Sequence, residues 1–254
     1  MELSESRRTS WSGEEAADAY ERGRPAYAEA AVDWALEPVR DRPGARVLDL
    51  GAGTGKLTRQ LADRRLDVAA VEPSPAMRRW LRHTGHAATV LAGSAEEIPL
   101  PDRSVDAVVA GQAFHWFDQD RAVPEIVRVL RPGGVLALLY NAREDAVAWV
   151  RALSELTHET DDHASVARGL KPYELGPPFG PAETLAAEHE QELDAAGLRD
   201  LVASRSYVIR MPARQRAALL DRVTELARTH PQLMGRQHFS MPYLTTCRRY
   251  RLRP

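Results

Sequence analysis

Between Arg46 and Tyr140 the chain alternates short apolar runs with helical ones, and no other feature of the sequence constrains its fold as strongly. The apolar runs 46–50, 67–72, 87–92, 105–110 and 135–140 have strand length and are nearly continuous, the pattern of strands buried on both faces. Leu57 and Leu61 place one apolar face on the first helical connection, and Val123, Ile126, Val127 and Leu130 do so on a later one. Pro132-Gly133-Gly134 then ends that helix and starts the next strand. Strands joined through helices run parallel, so the pattern predicts an α/β, doubly wound, Rossmann-like sheet with helices on both faces.

The flanks read differently. Residues 14–36 are predicted helical behind a polar N-terminal tail, and 1–44 form a tail and lid helix ahead of a core at 45–140. Residues 141–254 complete the sheet and cap a substrate pocket: 145–157 read as helix, 158–181 as a Gly- and Pro-rich loop or lid, and 183–193 as strand. Helices follow at 195–203 and 214–228, with a last strand at 239–252. Arg248, Arg249, Arg251 and Arg253 are expected to decorate an exposed edge strand and discourage pairing with other chains.

The 254 residues carry 34 Lys plus Arg against 36 Asp plus Glu, with no basic stripe, so the reading is no nucleic-acid partner. No apolar run reaches the ~18 residues of a membrane span. With one cysteine, Cys247, and a polar start, a cytoplasmic protein without disulfides is expected. Lysine occurs only at positions 56 and 171, which reads as the arginine bias of a GC-rich bacterial genome. Neither His83 with His86 nor His158 with His163 is joined by Cys, Asp or Glu at a zinc spacing, so no metal is expected.

The first strand runs into Gly51, Gly53 and Gly55. A P-loop would need Gly at position 50 and Ser or Thr at 57, where Leu50 and Leu57 stand; a dinucleotide fingerprint would need Gly at 56, where Lys56 stands. Asp49, two residues before Gly51, discriminates further. A carboxylate ~4 Å from a pyrophosphate charge is repelled by ~1 to 4 kcal/mol and attracted to a cation by as much. A nucleoside bearing an ammonium and a sulfonium meets both conditions, which describes S-adenosylmethionine. Glu72, 21 residues after Gly51, is placed to accept from ribose hydroxyls but suits NAD equally.

The segments VLDLGAGTGKL, VEPSPAM, GSAEEIPLPDRSVDAV, GQAFHWF and LRPGG occur in the order and spacing of a known family. Together they make residues 14–140 resemble the class I SAM-dependent methyltransferases, of the broad methyltransferase type 11 group that includes trans-aconitate-type and ubiquinone-pathway enzymes. The resemblance implies a seven-stranded sheet with an antiparallel C-terminal strand. It places Asp49, Gly51, Ala52, Gly53 and Gly55 around the methionine part of the cofactor, Glu72 on the ribose, and Pro73 and Met77 beside the adenine. Ser94, Ala95 and Glu96 would hold the adenine edge, Gln112 would sit under the sulfonium, and Tyr20 and Arg24 would close over the cofactor. The product would be S-adenosylhomocysteine.

For the acceptor, Tyr27, His115, Trp116, Ser204 and Tyr207 are the candidate pocket residues, and His115 is the candidate general base or, alternatively, a packed wall. The expected reaction is methyl transfer to an O, N or C atom of a small metabolite. The alternatives are a methyltransferase fold that holds SAM structurally while performing a cyclisation, and a dinucleotide oxidoreductase.

Overall fold

Strand β1 (Arg46–Leu50) is an internal strand of the sheet, and its side chains alternate between two cores. Val47 points into a cluster with Leu57 and Leu61, while Leu48 and Leu50 join Phe114, Ala122 and Ile126 on the opposite face. The computed structural model describes residues 13–87, 89–157 and 173–253. Among them, β2 (Asp67–Val71), β3 (Thr89–Leu91), β4 (Val105–Gly111), β5 (Leu130–Arg143), β6 (Glu183–Leu193) and β7 (Phe239–Arg251) complete a sheet of order β3-β2-β1-β4-β5-β7-β6. The first five strands pair in parallel, and β7 runs antiparallel between β5 and β6. Strand order reverses between β1 and β4, the position at which such sheets bind ligands beyond their carboxyl ends.

The N-terminal stretch forms two helices where one was expected, α1 (Glu14–Gly23) and α2 (Glu29–Leu36). Pro25 explains the break: it forces Arg24 into extended backbone, at φ −81° and ψ 139°. α2 contributes Ala31, Val32, Ala35 and Leu36 to the core, so it belongs to the body of the fold. Helices α3 (Lys56–Ala62) and α4 (Pro75–Thr84) follow β1 and β2, and α5 (Gln119–Val129) covers the opposite face of the sheet. The C-terminal part adds α6 (Ala148–Thr157), α7 (Ala195–Ala203), the short α8 (Ser206–Ile209) and α9 (Ala213–Thr229). α6, α7 and α9 share a third apolar cluster with Phe239, Met241 and Tyr243 of β7. Of the expected loop at 158–181, residues 158–172 lie outside the described residues; Phe179 is buried and bridges to Leu252.

The expectation that the C-terminal arginines decorate an edge is corrected. β7 is internal, and Arg248 and Arg249 are only 5% and 3% exposed. The Arg249 guanidinium lies 4.1 Å from the Trp34 ring, donates to the Trp34 carbonyl at 2.7 Å, and pairs with Glu37 and Glu183. Thus a buried cation ties β7 to α2, where burial is offset by hydrogen bonds and opposite charge. The edge strand on this side of the sheet is β6, whose exposed Glu188, Glu190 and Glu192 provide the like charge that discourages strand addition.

α1 packs on α7 with Gly23 at the crossing, where a Cβ would lie 2.2 Å from the Leu201 amide nitrogen. The obstacle is backbone, so relief requires α1 to lift. We expect Gly23→Ala to cost about 1–3 kcal/mol and to raise hydrogen exchange in α1 ahead of the central strands, as measured by denaturation and exchange mass spectrometry.

Candidate active site

β1 is buried and ends at the turn of Gly51, Gly53 and Gly55, all with positive φ (73°, 59° and 96°). The N–H groups of Gly51 and Ala52 both donate to the Val71 carbonyl, which folds the turn against the end of β2. Side chains also approach two of these glycines closely. A Cβ at Gly55 would meet Leu81 at 2.5 Å, and one at Gly51 would meet the Ala113 Cβ at 2.8 Å. At Gly53 the nearest group would be Tyr20 of α1, 3.9 Å away, so this glycine leaves open space beneath a tyrosine.

Asp49 lies under the turn, 1% exposed, and accepts from the Thr58 hydroxyl at 2.6 Å. Burial pushes its pKa up to about 7, the Thr58 hydrogen bond opposes this, and the nearby Glu72 carboxylate adds to it. Glu72 accepts from Gly53 N–H at 2.9 Å and Ser74 N–H at 2.7 Å; burial raises its pKa against those two donors. Two buried acids therefore face a turn whose other buried polar atom, the Thr54 hydroxyl, has no hydrogen-bond partner among the described residues. Lys56 does not neutralise them, because its ammonium faces Glu21 of α1 at 3.7 Å. This donor set fits a ligand with hydroxyls and a positive charge and disfavours phosphate.

The residues expected on the adenine side each have defined local partners. Met77 is buried with Ala17 and Ala76, and its N–H donates to Ser74 Oγ at 3.4 Å. The Pro73 carbonyl accepts from Arg78, Ala95 is buried, Ser94 bridges to Glu97, and Glu96 accepts from the Asp118 N–H at 3.0 Å. Gln112 follows β4 at φ +53°, donates its backbone N–H to the Leu139 carbonyl, and donates Nε2 to the Asn141 carbonyl at 2.9 Å. Gly111 admits this arrangement because a Cβ there would sit 2.4 Å from the Tyr27 hydroxyl.

α1 is fastened over the turn on several sides. Asp18 accepts from Trp80 Nε1 at 2.6 Å, Glu21 meets Arg59 at 3.1 Å, and Arg22 meets Asp200 at 2.6 Å. Arg24 lies 5.3 Å from the Tyr20 ring and donates to Ser204 Oγ at 2.9 Å. Beside this closure opens a small, partly enclosed cleft. The N-terminal segment supplies Tyr20, Arg24, Pro25 and Tyr27; the sheet ends supply Gln112, Asn141 and Tyr243; α7 and the turn after it supply Leu201 and Arg205.

Of the expected pocket residues, the structure brings Tyr27 to this cavity and uses Ser204 to hold Arg24. His115 and Trp116 stand beside each other in a short 3-10 turn (Phe114–Trp116), with rings 4.7 Å apart, and His115 is 6.0 Å from the Tyr140 ring; neither lines the cavity. Tyr207 is also outside the lining, although it acts electrostatically on the buried Arg143. Sequence reasoning missed Asn141, Arg205 and Tyr243 as pocket residues and Thr58 as the partner of Asp49. Only the pairing of β5 with β7 could have revealed the first and last lining groups, since it sets Asn141 opposite Thr245 and Arg143 opposite Tyr243.

The raised pKa of Asp49 has a defined consequence. Unfolded, the acid titrates near 3.8 and, folded, near 7, so it favours the folded state at low pH and this advantage is lost as pH rises from about 4 to 7. Asp49→Asn should therefore raise the thermal midpoint of the ligand-free protein at pH 8, by on the order of a few kcal/mol of stability, while removing this pH dependence. The same variant should weaken S-adenosylmethionine binding at least tenfold, read by calorimetry.

Comparisons with known proteins bear on the family and the fold. Residues 48–138 match the model of a methyltransferase domain. The chain is 48% identical over 232 residues to an uncharacterized methyltransferase of Mycobacterium tuberculosis, covering 91% of this chain and 92% of that one. It is 32% identical over 229 residues to an uncharacterized methyltransferase of Schizosaccharomyces pombe, covering 89% and 91%. A putative type II methyltransferase from Anaeromyxobacter dehalogenans superposes with a TM-score of 0.66 at 26% identity, covering 91% of this chain and 97% of its own. With this order of strands, this glycine turn and these relatives over nearly its whole length, the chain belongs to the class I SAM-dependent methyltransferases.

Proposed function

We propose that the protein transfers a methyl group from S-adenosylmethionine to an O, N or C atom of a small-molecule acceptor. The observation that carries the cofactor reading is Asp49, an acid buried under a glycine turn with a hydroxyl rather than a cation beside it. The bound cofactor supplies an electrophilic methyl group on a positively charged sulfur. Asp49 and the glycine turn hold its amino-acid end, Glu72 receives its ribose, and Met77 and Ala95 flank its base. Tyr20 and Gln112 belong both to this site and to the cavity beside it, so the acceptor approaches along that boundary.

The chain's own task is alignment and exclusion of water. Holding two reactants in line accounts for up to ~7–11 kcal/mol of a barrier. α1 fulfils this role by closing the site through its contacts with α4, α3 and α7. Among the described residues no His, Asp or Glu lines the cleft, and burial raises the pKa of Tyr20, Tyr27 and Tyr243, so none of these phenols takes up a proton at neutral pH. Such a pocket suits a nucleophile that arrives with its lone pair available. His115 then packs beside Trp116 and Tyr140, outside the lining of the cleft.

Isotope-labelled S-adenosylmethionine tests the reaction: label should pass to a metabolite with one S-adenosylhomocysteine formed per product. Conversion of a substrate without label transfer would sink the reading and favour a cyclase that only holds the cofactor. His115→Ala should change kcat by less than tenfold and leave the pH profile of kcat/KM unaltered near ~6.5, whereas a true base would cost ~10² to 10⁴ and remove an inflection there.

A further inference from the structure

Gln112 stands in a backbone conformation that its residue type disfavours. Its φ is +53°, and the other non-glycine residues at positive φ among those described, Arg65 and Arg103, lie in the turns that lead into β2 and β4, at the opposite end of the sheet. Strain of this kind persists where surrounding contacts over-determine it, and it concentrates at functional sites. Two contacts hold Gln112 there: its N–H donates to the Leu139 carbonyl, and its Nε2 donates to the Asn141 carbonyl. The second contact fixes the amide. A carbonyl can face only the NH₂ end, so Oε1 points the other way, and among the described residues nothing donates to it.

Tyr27 is fitted to the same spot. A Cβ at Gly111 would lie 2.7 Å from the Tyr27 Cζ, and the Gly111 backbone is ordinary strand, so the missing side chain there serves the tyrosine. Gln60 ties down both the N–H and the carbonyl of Tyr27, at 3.0 and 2.8 Å, which sets where the ring enters. The Tyr27 hydroxyl has no hydrogen-bond partner among the described residues. Both residues line the cleft, so an amide oxygen and a phenol, neither engaged, stand together at the carboxyl end of β4. The cleft is small, and what reaches them is the end of an acceptor rather than its body.

We propose that Gln112 orients the acceptor's nucleophile by accepting its hydrogen at Oε1, with the Tyr27 hydroxyl as a second contact, and that this nucleophile is the nitrogen of an uncharged primary or secondary amine. A carboxylate or an activated carbon offers Oε1 no donor, and a hydroxyl needs a base, whereas among the described residues no His, Asp or Glu lines the cleft. An amine has both an N–H to give and a lone pair that is free without proton removal. Arg24, on the cleft wall with the neutral Ser204 and the Tyr20 ring as partners, disfavours a further positive charge and keeps the amine in its nucleophilic form. The lone pair forms the bond to the methyl carbon as the carbon–sulfur bond breaks, its electron pair staying on sulfur; the resulting ammonium gives its proton to water after release. The proposal rests on the methyltransferase reading and adds to it the atom that is methylated.

The test begins with a metabolite extract incubated with the full-length enzyme and methyl-labelled S-adenosylmethionine. The labelled product should be an N-methyl amine; a labelled ester, ether or C-methyl product overturns the proposal and leaves methyl transfer intact, while no labelled product overturns both. With the amine identified, Gln112→Met should lower kcat/KM about tenfold to a hundredfold and leave the dissociation constant of S-adenosylhomocysteine within a few-fold of the parent's. An equal loss of S-adenosylhomocysteine binding makes Gln112 a cofactor contact only and overturns the orienting role, as do unchanged kinetics. Gln112→Gly, which accepts the positive φ without strain, should share the kinetic loss while keeping the thermal midpoint at or above the parent's, a combination that a purely structural role does not produce. Tyr27→Phe keeps the ring against Gly111 and should raise KM for the amine about tenfold with a smaller change in kcat.

Discussion

The hydrogen bond from Thr58 to Asp49 joins the centre of the sheet to the first helix of the glycine turn, and most of the site is arranged around it. β1 is internal and its carboxyl end is dry, so an acid there is held at an energetic disadvantage, with its pKa near 7. A protein selected for stability alone would place an apolar residue at this position. The disadvantage is useful in a cofactor site, because a cationic ligand gains the attraction that the fold leaves unspent. Glu72 repeats the device one strand away, with two backbone N–H groups as partial compensation.

Closure of the site depends on the N-terminal segment, which belongs to both layers of the molecule. α2 is part of the main core and α1 is held by side chains of α3, α4 and α7. Between them, the Tyr27 backbone exchanges two hydrogen bonds with Gln60, and Ala26 accepts from Asn141. The segment thus links the cofactor turn, the helix after it and the end of β5. On the proposed function, access to the cofactor and the shape of the acceptor site would be coupled through the same few residues, Tyr20, Arg24 and Tyr27, which line one cleft.

β7 provides the other coupling. Its antiparallel passage between β5 and β6 carries Tyr243 to the cavity at one end, and at the other buries Arg249 against Trp34, Glu37 and Glu183. Because paired residues on neighbouring strands share a face, the register that sets Asn141 opposite Thr245 also sets Arg143 opposite Tyr243. A slip of one residue would turn these groups to the other side of the sheet, so the cavity's chemistry is bound to the register of the C-terminal strands.

The sequence by itself determined the parallel half of the sheet, the glycine turn and the acids Asp49 and Glu72. Those features are local: hydrophobic periodicity, turn residues and an acid at a strand end are set by neighbours a few positions apart. Strand β1, residues 46–50, and strand β6, residues 183–193, were legible to the residue for that reason. Other features required the tertiary structure. Nothing near Arg249 in the sequence says that β7 lies inside the sheet, and the C-terminal arginines read as an edge until Trp34, Glu37 and Glu183 are brought to Arg249. Likewise His115 carries the residue type of a base, yet the backbone after β4 places it beside Trp116 and Tyr140, while Arg24, Arg205 and Tyr243 converge from segments about 180 and 220 positions away from the first of them. Local pattern fixes which elements form; only their packing decides which charges share a cavity.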